Sequence, residues 1–165
     1  MEQGLQDIFI LEIKNQCFNS LKAAKAMENE LNNPSSAHNF FYHAQSFLVF
    51  TANISKLLWG TSDNYSRKRE DLRKSLGIKN NSQLRSRTLR NLFEHFDENL
   101  EKWFKQSNEK NYIDLNVGPT NFVEDMNEKD LLRNYNTDDH SITYRGKRFN
   151  IIPIVKEVEA LYNRL

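Results

Sequence analysis

Apolar residues recur at three- and four-residue steps through the first hundred positions and then give way to short alternating runs. From Gln3 to Leu31 the spacing predicts a first helix whose inward positions are Ile8, Leu11, Phe18, Leu21 and Leu31, stopped by Asn32-Asn33-Pro34. Ser35 or Ser36 is placed to cap a second helix by accepting a bond from a free backbone N–H. Phe40, Ala44, Phe47, Thr51, Ile54 and Leu58 keep that helix in phase as far as Trp59-Gly60, where glycine tolerates the left-handed conformation that closes helices. A polar segment, Thr61 to Arg69, leads into a short basic helix ending near Leu76-Gly77. Asn81 or Ser82 then opens a fourth helix, expected to run unbroken to about Phe104. Its apolar residues Leu89, Leu92, Phe93, Phe96, Leu100, Trp103 and Phe104 lie within about 60° either side of one line on a helical wheel.

After Gln106 the period changes. Tyr112 to Val117 alternates and is broken by Gly118-Pro119. Leu131 to Tyr135 and Ile142 to Tyr144 flank a polar turn, a hairpin pattern, and Arg145-Gly146-Lys147-Arg148 follows. Pro153 suits the first turn of a last helix with Ile154, Val158, Leu161 and Leu165 on its inner face. The fold class expected is mainly α: an up-and-down antiparallel helical bundle over residues 1–107, with a small C-terminal β-hairpin and final helix over 108–165 packed on it as one compact domain.

Composition narrows this further. The 165 residues are 38% hydrophobic and 27% charged, with 11 Phe, 6 Tyr and 2 Trp, too aromatic for a disordered chain. No basic segment followed by an apolar run opens the chain, and no apolar run nears the roughly 20 residues that span a bilayer. Cys17 is the single cysteine, which excludes an internal disulfide. A cytoplasmic protein without membrane attachment is the expectation. A net charge of +1 argues against a generic polyanion binder, but the charge is unevenly spread. Arg67, Lys68, Arg69, Arg73, Lys74, Lys79, Arg85, Arg87 and Arg90 form a basic run, after which Glu94, Asp97, Glu98 and Glu101 turn the chain acidic.

The basic run leads into Arg90-Asn91-Leu92-Phe93-Glu94-His95. An arginine and a histidine at this spacing can serve phosphodiester cleavage without a metal. A guanidinium fork stabilises charge on the non-bridging oxygens, and a neutral imidazole, with an ordinary pKa near 6.5, takes the proton of an attacking 2′-hydroxyl. With Leu89 at 0°, Arg90 falls near 100° and His95 near 240° on a straight helix, about 140° apart. One helix therefore cannot bring both to a small ligand, whereas a second copy related by a two-fold axis would bring the pairs into one cleft. Asn91 and Glu94 stand between them as supporting residues, and Arg85 and Arg87 are candidates to hold flanking RNA phosphates. The bland alternative is a chance pairing on a solvated helix face.

This motif resembles the signature of the HEPN superfamily, Arg, a polar residue (often Asn), then a few residues and a His. The match sits late in the predicted helical region, as in that family, and the second helix, His43 to Trp59, is similar to the partner helix of a bacterial branch. The resemblance covers roughly Gln3 to Phe104. It implies a metal-independent endoribonuclease acting as a homodimer, of the kind that serves as a toxin with an antitoxin partner or as a phage-defence effector. Arg90 and His95 would be catalytic, and Ser46, Asn53 and Glu94 are open candidates for a further polar residue. The alternative implied is a non-catalytic dimerisation module that binds nucleotide, RNA or a partner protein.

Other residues add little. His38 and His43 are five apart, where helical metal pairs favour four, and His140 falls in a predicted turn, so neither a metal site nor a cofactor is expected. Cys17 reads as a small buried hydrophobe. Trp59 and Trp103 read as packing residues, and no Gly-rich phosphate loop is present.

Overall fold

The computed structural model describes residues 2–32, 35–119 and 127–165. Two long helices, α1 (Gln3–Asn32) and α2 (Ala37–Trp59), pack along one another and carry most of the scaffold. The Asn33-Pro34 stop lies outside the described residues. Ser36 caps α2 as its position suggests, its hydroxyl accepting from Asn39 N–H at 3.2 Å. Gly60 ends α2 at φ 72°, and a side chain there would collide with Tyr65. Phe40, Phe47, Ile54 and Leu58 of α2 are fully buried, each contributing about 1.5–3 kcal/mol by removal from water.

α1 is turned in part from the expected orientation: Leu21 and Leu31 pack against the core as expected. Its buried face is Ile13, Cys17, Ser20, Ala23 and Met27, while Ile8, Leu11 and Phe18 are more than half exposed. Three of the five buried residues, Cys17, Ser20 and Ala23, are small. Small side chains let α2 and the last helix approach closely, and that selects the face more strongly than the bulk of the isoleucine, leucine and phenylalanine opposite.

Two short helices follow, α3 (Asp63–Lys68) and α4 (Glu70–Ser75). Two arginines of this segment, Arg69 and Arg73, are structural. Arg73 is buried, donates to the carbonyls of Leu58 (2.7 Å) and Ser66 (2.9 Å), and lies over the Trp59 ring at 5.6 Å. Arg69 bonds the Lys56 carbonyl and stacks over Phe9 at 5.0 Å. Both guanidinium groups thus complete the carbonyl end of α2, where the helix dipole favours a cation.

The long fourth helix of the sequence reading is three pieces: a 3-10 turn at Gln83–Arg85, opened by Ser82, then α5 (Thr88–Glu94) and α6 (Phe96–Gln106). The break is at His95, where ψ is +46°. It contains neither proline nor glycine. Asn99 supplies the cause, its side-chain amide donating to the carbonyls of His95 (2.7 Å) and Leu92 (3.2 Å) and so entering the backbone ladder. Beyond the break the apolar face is re-aimed: Trp103 remains buried while Phe104, expected inside, is 59% exposed.

The C-terminal hairpin is a four-stranded sheet in order β1 (Asn116–Gly118), β2 (Arg133–Asn136), β3 (Ser141–Tyr144) and β4 (Lys147–Asn150). β1 runs parallel to β2, and the other pairs are antiparallel, with Tyr135 opposite Ile142 and Tyr144 opposite Lys147. Arg145 and Gly146, both at positive φ, form the two-residue turn that right-handed strand twist prefers. α7 (Ile152–Tyr162) begins with Pro153 in its first turn and buries Val158 and Leu161. The sheet and the helices share a core: Phe40 lies 4.4 Å from Tyr135 between ring centroids, and Phe93 lies 6.0 Å from Tyr144. Trp103 donates to Asp130 at 2.9 Å in the same region.

Candidate functional site

The motif occupies α5 and the α5–α6 junction. Leu89 and Phe93 anchor α5 in the core, which leaves Arg90 half-buried at its edge and Asn91, Glu94 and His95 facing solvent. Arg90 is ion-paired with Glu94 one turn ahead and donates to Asn91 Oδ1 at 3.2 Å. Its side chain, 18% exposed, lines a small groove with Gln45 and Val49 of α2. It also lines a cleft of about 310 Å³ with Gln83, Ser86, Arg148 and Asn150. His95 is 57% exposed, with Nδ1 3.7 Å from Glu98 Oε1. It lines neither the groove nor the cleft, so a single chain does not bring Arg90 and His95 to one pocket.

Of the three open candidates for a further polar residue, only Glu94 touches Arg90. Ser46 donates back to the Tyr42 carbonyl at 2.9 Å, and Asn53 donates to Gln16 of α1 at 3.1 Å. Neither Arg85 nor Arg87 lines the cleft that holds Arg90. The residue placed there instead is Arg148 of β4, ion-paired with Asp139 and donating to the Ser141 hydroxyl at 3.0 Å. Its approach to Arg90 depends on the β3–β4 register and the packing of the sheet, which no local pattern discloses. The cleft thus presents two guanidinium groups, each ion-paired with a carboxylate, beside neutral amides and the hydroxyl residues Thr51 and Ser86.

The acidic run largely pairs within its own helix: Glu98 with Lys102 and Glu101 with Lys105, besides Glu94 with Arg90. With Arg69 and Arg73 committed to the end of α2 and Lys74 paired to Glu70, the basic surface ahead of the motif is smaller than its residue count. Elsewhere, Cys17 is fully buried, and burial pushes its thiol up to about 12. The His140 ring nitrogen Nδ1 lies 2.8 Å from the Tyr135 hydroxyl. Among the described residues no group of three or more His, Cys, Asp or Glu side chains is placed to hold a metal, and no helix is long and apolar enough to cross a membrane. Comparison with known protein families, with curated proteins and with solved structures finds no match for the chain.

Proposed function

We propose that the protein is a homodimeric endoribonuclease of HEPN type that cuts RNA without a metal, with Arg90 and His95 as its catalytic residues. The carrying observation is where the Arg90–His95 motif stands: at a solvent-facing helix junction, with Arg90 in an open cleft beside Arg148 and the His95 imidazole outside the core. In the reaction the imidazole takes the proton of a 2′-hydroxyl as that oxygen bonds to phosphorus. The bond to the 5′-oxygen breaks, the departing oxygen takes a proton from water, the imidazolium returns its proton to solvent, and a 2′,3′-cyclic phosphate and a 5′-hydroxyl result. Arg90 neutralises the pentacoordinate phosphorane, a role in which phosphate displaces the Glu94 carboxylate from its fork. Asn91 and Glu94 position Arg90.

The separation of Arg90 from His95 within one chain supports a site completed by a second copy. Val49, exposed in the Arg90 groove, and Tyr42, exposed two turns earlier on α2, provide apolar surface for such a contact. On this reading α1, α2 and α5–α6 correspond to the up-and-down bundle of the family, and the protein acts in the cytoplasm, held in check by an antitoxin protein. A second reading, a non-catalytic RNA-binding or dimerisation module, is favoured by one observation: Arg90 Nη1 is already ion-paired with Glu94. Incubating varied RNAs in chelator with wild type, Arg90→Ala and His95→Ala separates the two. Cleavage with cyclic-phosphate ends, lost in both folded variants, is expected; binding without cleavage by the wild type would establish the module instead.

A further inference from the structure

A second polar cleft, of about 440 Å³, opens where α6 meets the sheet. Four cationic side chains line it, Lys102 of α6, Lys129 ahead of β2, and Arg145 and Lys147 at the β3–β4 turn, and no carboxylate lines it among the described residues. Two acids stand near. Glu98 holds Lys102 at 3.3 Å, and the Glu128 carboxylate approaches the Gly146 turn. No ion pair involves Lys129, Arg145 or Lys147 among the described residues, so the described lining carries a net positive charge.

The wall of this cleft also holds unmet hydrogen-bond capacity. Tyr144 is 1% exposed and its hydroxyl has no partner among the described residues; Arg145 Nε is likewise buried and unpartnered among them, although its Nη2 donates to Gln106 at 2.7 Å. A buried donor without an acceptor is costly, and an ordered water or an anion that reached these atoms would relieve it. The cleft adjoins the motif as well. Asn99, which binds the His95 carbonyl, lines it, and Asn99, Lys102 and Gln106 follow one another at helical spacing along one face of α6, with His95 capping the start of that helix.

We propose that this cleft binds the phosphate backbone of single-stranded RNA, leading the strand along α6 to His95. The preference for phosphate rests on the cleft alone, whereas the choice of RNA rests on the ribonuclease reading above. Backbone recognition of this kind is independent of base sequence and weakens with salt as counterions are released.

The test measures binding of a labelled single-stranded RNA to His95→Ala protein, which leaves the probe intact, over a salt series. Lys129→Ala/Lys147→Ala in that background is compared with Lys22→Ala/Lys156→Ala, which removes two exposed charges on α1 and α7. The cleft variant is expected to bind about tenfold more weakly at low salt, with a salt slope shallower by about 1.4, as two lost phosphate contacts require. Thermal midpoints verify that all the variants are folded. Equal affinity and slope in the two double variants would overturn the proposal. So would absence of RNA binding at low salt, or displacement of the RNA by polyglutamate at equal charge. Cleavage by wild-type protein is followed in parallel. Cleft-dependent binding without cleavage would leave this inference standing and sink the ribonuclease, and His95-dependent cleavage with no cleft effect would do the reverse.

Discussion

Replacing Asp114 by asparagine tests how the C-terminal sheet is tied to the helix junction. Asp114 and Arg133 form an ion pair in which the carboxylate is 7% exposed and the guanidinium 19% exposed, and Arg133 N–H also donates to the carboxylate at 3.0 Å. The same guanidinium lies 4.5 Å over the ring of Phe96, the first residue of α6. Burial pushes the Asp114 carboxyl up, but the Arg133 hydrogen bonds and charge outweigh that and hold it below its ordinary value. Breaking a fully buried pair costs about 3–5 kcal/mol; with Arg133 partly in solvent and the amide retaining an acceptor, about 2 kcal/mol is expected. For 165 residues the unfolding entropy is about 0.35 kcal/mol/K, so the midpoint should fall by about 6 °C. Because the carboxyl is held low in the folded state, the unfolded chain binds the extra proton, and the stabilisation is present at neutral pH. It is lost as pH falls below the ordinary carboxylate range, near 4, toward the folded value. Thermal melts of wild type and Asp114→Asn across that range should therefore converge in acid. A gap that is absent at neutral pH, or that persists unchanged in acid, would refute the reasoning.

Two further predictions concern the helical layer. Arg73→Leu leaves the carbonyls of Leu58 and Ser66 without their charged donor and should cost about 2–3 kcal/mol, read as a drop of about 6–9 °C in the melting midpoint. A shift under about 2 °C would show that the end of α2 does not depend on it. Cys17, buried and with its thiol pushed up to about 12, should resist a disulfide reagent at about pH 8 until the protein unfolds. Stoichiometric labelling of native protein would contradict the packing of α1.

The sequence disclosed the elements better than their faces. The α2 cap at Ser36, the stop at Gly60 and Pro153 in the first turn of α7 were legible because each depends on local backbone chemistry. The inner face of α1 was not, because Cys17, Ser20 and Ala23 are chosen by the closeness of neighbouring helices and carry little hydrophobic signal. The break at His95 was hidden for a related reason: the apolar period runs through it, and a single side chain, Asn99, interrupts the ladder. The hairpin pattern was visible, but the fourth strand lay in the polar Lys147-Arg148 stretch, and the parallel pairing of β1 joins residues distant in sequence. For the candidate site, Arg90, Asn91, Glu94 and His95 were legible as a motif, and the Arg90–Glu94 contact follows from their spacing of four. Arg148 and the Lys129–Arg145–Lys147 cluster were not, since only tertiary packing gathers them.

The central claim, a ribonuclease site shared between two copies of the chain, is tested most directly by mixing two inactive proteins. Arg90→Ala and His95→Ala are unfolded together, refolded as mixed dimers and assayed for RNA cleavage in chelator. If Arg90 of one chain works with His95 of the other, each mixed dimer has one intact site, and activity should return to about a quarter of wild type under random assortment. Mixed dimers that form and remain inactive would contradict the shared site.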